Sequence, residues 1–137
     1  MDSKVDFILC SELIKHLFNP DEALKEAARV LRRRGLILVT TPMKYSLNEI
    51  LCRKSYEHNI EHLNVLTYSQ FLSKITKKFH IIFKKAILFI PFTIFTRILY
   101  SNQALVRFLD RCLSKTPLKA LSWCVIVVAV KKGEKHG

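Results

Sequence analysis

The chain has 137 residues, half of them apolar, and a formal net charge of +12 from 23 Lys/Arg against 11 Asp/Glu. That is one domain with enough apolar chain for a core, yet short for a complete doubly wound α/β fold. The four cysteines, Cys10, Cys52, Cys112 and Cys124, are never two residues apart, which excludes a CxxC zinc ribbon or redox motif. No charged segment followed by an apolar stretch opens the chain, so no signal peptide is expected, and a reducing cytoplasm is the expected location.

The charge is uneven. Residues 1–42 carry seven basic and six acidic side chains, and residues 43–137 carry sixteen and five. Between Glu61 and Asp110 there is no acid at all. Such a bias suits polyanions or anionic membrane surfaces, and equally a solvated basic face. Aromatic residues are not interleaved with the basic ones in a stacking motif, so no specific nucleic acid is expected.

Val5 to Cys10 is a short apolar run of β-formers, the pattern of a strand covered on both faces. Ser11 to Phe18 reads as a loop or single helical turn. Asn19 is an N-cap followed by Pro20 at the first helical position, with Asp21 and Glu22 at the positive end of the helix dipole and Glu22 at the capping-box position. Leu24, Ala27, Ala28 and Leu31 form one apolar stripe. Arg32, Arg33 and Arg34 follow at the negative end, and Gly35 is expected to close the helix in a left-handed conformation. Leu36 to Thr41 is a second apolar strand that Pro42 stops. Strand, helix and strand with short links predict a right-handed parallel βαβ unit.

Met43 to Leu66 is a polar excursion with some helix expected near 46–53. Thr67 caps a helix to about Lys77, with Phe71, Leu72, Ile75 and Tyr68 on its apolar face. Phe79 to Phe83 is strand-like, and Ala86 to Ile90 is a strand or an insertion. Phe92 to Leu113 has helical periodicity, and Trp123 to Val130 is a β-branched strand before a solvated tail. Residues 86–95 are uncharged, flanked by Lys84, Lys85 and Arg97. Ten residues are half of the ~20 that a membrane span needs, so the stretch is core, or lies in a membrane interface.

The unit from Val5 to Pro42 resembles the middle of a class I methyltransferase domain that uses S-adenosylmethionine (SAM), of the type 11 kind. Asp6 matches the acid near the start of the family's fourth strand. Ser11, Glu12 and His16 match an S-E-x-x-x-H loop after it, and Arg33-Arg34-Gly35 stands where the family has proline and two glycines. Glu61-His62-Leu63, Leu66-Thr67 and Phe71 resemble the lead into a later helix, and Val125–Val130 with Lys131-Lys132 resembles the last strand. The resemblance implies an α/β, Rossmann-like three-layer sheet with helices on both faces. It also implies truncation at the N-terminus, because the first strands and the glycine-rich cofactor turn have no counterpart. The only glycines are Gly35, Gly133 and Gly137.

The family pattern also implies the site. Cys10, Ser11 and Glu12 would bind SAM, and His16, just past a strand's carboxyl end, would be the catalytic base. His58 and His62 are substrate-side candidates, and no metal is expected. The acceptor would be a small molecule, a glycan or a lipid, with a companion polypeptide supplying the N-terminal half and peripheral contact with anionic membrane. Two other readings fit the residues: a non-catalytic remnant or partner subunit of a methyltransferase, and a basic adaptor for membrane or RNA.

Overall fold

The computed structural model describes residues 5–46, 63–87, 102–113 and 115–133. Strand β1 is Val5–Ser11, helix α1 Pro20–Val30, strand β2 Leu31–Pro42, helix α2 Tyr68–Thr76, strand β3 Phe79–Ile87, helix α3 Gln103–Leu113 and strand β4 Cys124–Lys131. A 3-10 turn, Ile14–His16, lies between β1 and α1, and another, Pro117–Leu121, precedes β4. The expected helix at 46–53 and the apolar stretch at 88–95 lie outside the described residues, except for Ser46, which is buried.

The four strands form one sheet in the order β1-β2-β4-β3. β1 and β2 are parallel, as the βαβ pattern predicts. β4 runs antiparallel to both β2 and β3 and so occupies an inner position. One face of the sheet carries Cys10, Ile37, Val39, Val125, Val127 and Ala129, all buried. Leu24 and Ala28 of α1 and Phe71 and Ile75 of α2 share that core. The two helices thus lie over one face, and Asp21 of α1 pairs with Lys74 and Lys77 of α2.

Both helix starts follow from their caps. Asn19 Oδ1 accepts from the Glu22 amide at 3.2 Å, and Pro20 opens α1. The Glu22 carboxylate accepts from Asn19 Nδ2 (3.4 Å) rather than from the Asn19 backbone amide, a variant of the expected box. Thr67 and Gln70 form a full capping box on α2.

Two expectations are corrected. α1 stops at Val30, because Leu31 turns extended, its amide still bonding the Ala27 carbonyl. Leu31 is fully buried, and Lys131 Nζ donates to its carbonyl at 2.9 Å. The left-handed residue is Arg34 (φ 64°), while Gly35 is not left-handed. Gly35 matters for space instead: a Cβ there would sit 2.8 Å from Leu31 Cδ2 and 2.9 Å from the Arg32 carbonyl. The second correction concerns β1. Among the described residues it is an edge strand, with Phe7 49 % and Leu9 62 % exposed, and nothing described there covers its second face. Phe7 and Leu9 lie opposite Leu36 and Leu38 of β2, on the face turned away from α1 and α2. No helix among the described residues is long and apolar enough to cross a membrane.

Candidate active site at the carboxyl ends of the parallel strands

In a parallel pair the carboxyl ends of the strands are where ligands bind, because the chain leaves the sheet there and opens a crevice. Here β1 ends at Ser11 beside Thr40 of β2. Ser11 Oγ and Thr40 Oγ1 are 2.9 Å apart and hydrogen-bonded. The next residue, Glu12, has φ 55°. A left-handed glutamate is strained, and such strain persists only where surrounding bonds over-determine it. Those bonds are present: the Glu12 amide donates to the Thr40 carbonyl at 2.9 Å and lies 3.2 Å from Thr40 Oγ1.

The Glu12 carboxylate meets three side chains. Oε2 pairs with Lys15 Nζ at 3.1 Å, and the Lys15 side chain is largely buried. Oε1 accepts from Thr40 Oγ1 at 3.5 Å and from the Cys124 thiol at 3.7 Å. Burial first, then the Glu12 carboxylate, pushes the Cys124 thiol up to about 11, so it stays a neutral donor at physiological pH. The arrangement is a fixed carboxylate, partly open to solvent, with polar neighbours at the end of the sheet. Its remaining lone pairs can accept hydrogen bonds from hydroxyl or amino groups of a ligand.

The residues expected from sequence divide as follows. Ser11, Glu12 and His16 lie on one short segment, His16 exposed in the 3-10 turn with its amide bonded to the Leu13 carbonyl. Cys10 sits beside them in sequence, but its side chain is in the core opposite Val39, where burial raises the thiol pKa. His58 and His62 lie outside the described residues. Sequence reasoning missed Lys15, Thr40 and Cys124. Lys15 could have been found from its i+3 spacing to Glu12, and Thr40 from the register that sets strand ends level. Nothing in the sequence points to Cys124. Among the described residues no group of three or more His, Cys, Asp or Glu side chains could hold a metal.

A family model, the methyltransferase domain, matches residues 1–39. The whole chain also overlays on solved structures. One is a chain in a Haloferax volcanii complex that contains the Trm112 methyltransferase activator: TM-score 0.62, 16 % identity, covering 99 % of this chain and 57 % of that one. Another is a SAM-dependent methyltransferase from Archaeoglobus fulgidus: TM-score 0.56, 12 % identity, 96 % of this chain and 61 % of that one. The fold is that of a class I methyltransferase domain. A third structure, the YcgJ protein of Bacillus subtilis, gives TM-score 0.54 at 16 % identity over 97 % of this chain and 66 % of the other. No curated protein is significantly similar in sequence. The chain thus spans between about half and two thirds of the length of these structures.

A methyltransferase fold makes SAM the group to test against the residues present. The loop Ser11–Glu12 fits part of it: a strained turn at a strand's carboxyl end, with a hydroxyl and a carboxylate able to bond donors. A glycine turn able to approach the cofactor's carboxypropyl end is not among the described residues, since Gly35 is consumed in packing against Leu31 and Arg32.

Proposed function

We propose that this chain takes part in SAM-dependent methyl transfer to a small-molecule, glycan or lipid acceptor. The observation that carries the reading is the over-determined Glu12, strained and hydrogen-bonded at the carboxyl end of β1 in a methyltransferase fold. SAM supplies an electrophilic methyl group when bound. Ser11 and Glu12 accept hydrogen bonds from its polar edge, with the Cys10 main chain beside them. His16, on the turn that follows, takes the proton of an acceptor hydroxyl. Lys15 and Thr40 hold the Glu12 carboxylate in one place, so that the loop is organised before the ligand arrives, a proximity contribution. His58 and His62 serve the acceptor side.

A companion polypeptide supplies the glycine-rich turn. The β1 edge, open among the described residues, with exposed Phe7 and Leu9, supports this part. A strand edge with unpaired amides and carbonyls favours pairing with another strand. The same edge supports a second reading, in which the chain is a non-catalytic partner subunit.

The test is calorimetric titration of the folded chain with SAM. Saturable binding at one site, weakened roughly tenfold by Glu12→Ala through loss of a charge-assisted bond, is the expected result. No binding by the folded chain, with or without a companion that co-purifies with it, overturns the catalytic reading and leaves the partner-subunit reading.

A further inference from the structure

We propose that the corner built from Leu13, Phe18 and Leu63, at the site end of the molecule, docks onto anionic membrane. Phe18 is 88 % exposed, the most exposed large apolar side chain among the described residues, and Leu13 and Leu63 are about half exposed. A lone exposed phenylalanine is ordinary. Here three apolar side chains stand on two separate loops that are stitched together. The Asn64 amide donates to the Lys15 carbonyl at 2.9 Å, and Asn64 Nδ2 donates to the carbonyls of Leu17 and Phe18. The tips are therefore held out by a fixed backbone, and inserting them orders little further chain.

The charge beside them is of the right sign. Directly after Phe18, a cavity of about 390 Å³ between α1 and α2 is lined by Lys25, Lys74, Lys77 and Lys78 against Asp21 and Glu22. Asp21 holds Lys74 and Lys77 in place. Lys25 and Lys78 have no ion pair among the described residues. Apolar tips followed in the chain by a lysine-lined groove that begins at Asn19 match the interface of a bilayer, where rings and aliphatic chains enter the headgroup layer and lysines meet anionic lipid. A base-stacking surface would need aromatic side chains within the basic groove, and its lining has none.

The corner adjoins the loop that carries Glu12 and His16, so it selects a lipid-borne acceptor from the classes proposed above. For the substrate alone it rests on that reading; binding to membrane needs no cofactor.

The test is sedimentation of the full chain with vesicles of phosphatidylcholine, and of phosphatidylcholine with about one third phosphatidylserine. The chain is expected to sediment with the anionic vesicles only and to be released at about 0.5 M salt. Phe18→Ser is expected to lower partitioning roughly tenfold, the scale of one buried aromatic ring, and Phe83→Ser, an equally substitutable exposed ring on β3, to leave it unchanged. The proposal is overturned if folded wild-type chain stays in the supernatant, if Phe83→Ser lowers binding as much as Phe18→Ser, or if polyuridylate binds the chain and displaces it from vesicles while Phe18→Ser has no effect. Vesicle binding without SAM binding overturns the catalytic reading and leaves this one; SAM binding without vesicle binding does the reverse.

Discussion

The Cys124 thiol donates to Glu12 Oε1 at 3.7 Å, joining two residues 112 positions apart at the point where β1 ends and β4 begins. The contact ties the candidate site to the sheet's inner antiparallel strand. It also makes Cys124 a reporter on the ionisation of Glu12. Because the carboxylate helps to raise the thiol pKa to about 11, Glu12→Gln is expected to lower that pKa and to speed alkylation of Cys124 at pH 8–9. Mass-spectrometric labelling kinetics read this directly, with exposed Cys112 as the fast internal standard. An unchanged rate would mean that burial alone sets the thiol. The stability sign follows: the folded pKa lies above the unfolded ~8.5, so this group's contribution is complete below that value and is lost as pH rises toward 11.

Thr40 anchors the loop three ways, through its carbonyl and through hydroxyl contacts with Ser11 and Glu12. Thr40→Val keeps the shape and the carbonyl but removes the hydroxyl. The expected cost is about 1 kcal/mol in stability for the lost hydrogen bonds. A second effect is expected in ligand affinity, since Glu12 then has fewer restraints. Thermal melting gives the first number and SAM titration the second. A variant that melts lower yet binds unchanged would remove Thr40 from the site.

Gly35 tests the packing argument. A Cβ there would sit against Leu31 Cδ2 and a backbone carbonyl. Gly35→Ala is therefore expected to destabilise by about 1–3 kcal/mol, measured by urea denaturation. If the residue were a left-handed helix cap, Gly35→Asn would be tolerated better than Gly35→Ala, because asparagine adopts that conformation readily. With space as the constraint, asparagine is expected to be worse.

Asp21 predicts the acid limb of the stability profile. The hydrogen bond from Lys74, then that from Lys77, lowers its pKa. A depressed carboxylate contributes stability above its unfolded pKa of ~3.9, and the contribution is lost as pH falls through the folded value. Asp21→Asn is expected to flatten the loss of stability below about pH 4, as followed by circular dichroism, while leaving the melting curve at pH 9 similar in shape. A steeper acid limb in the variant would contradict the pairing with α2.

Much of the fold is legible in the residues because local chemistry dictates it. Asn19-Pro20 and Thr67 with Gln70 start their helices through bonds to the next turn. The β-branched run Val125–Val128 has no better home than a sheet interior. Phe71 and Ile75 reach the core because helical spacing puts them on one side. The exposure of β1 was not legible, since Val5–Cys10 reads the same whether or not a neighbour covers it. The end of α1 was misjudged because Leu31 satisfies the apolar stripe equally well as the last helical residue or the first extended one. Of the candidate site, Ser11, Glu12 and His16 stand together because they share one segment, whereas Cys124 depends on a long-range register that periodicity does not encode.

The strand order has a consequence for how the molecule is made. β4, later in the chain than β1, β2 and β3, lies between β2 and β3 and pairs with both. During synthesis a nascent product that stops before Cys124 has its sheet in two pieces, the β1–β2 pair and β3, with their facing edges unpaired. The sheet is joined only when the last eight-residue strand slides in as the keystone. Such long-range pairing is slow, and its unpaired edges attract other chains meanwhile. Release of a shortened product at this stage would leave β2 and β3 without the strand that joins them.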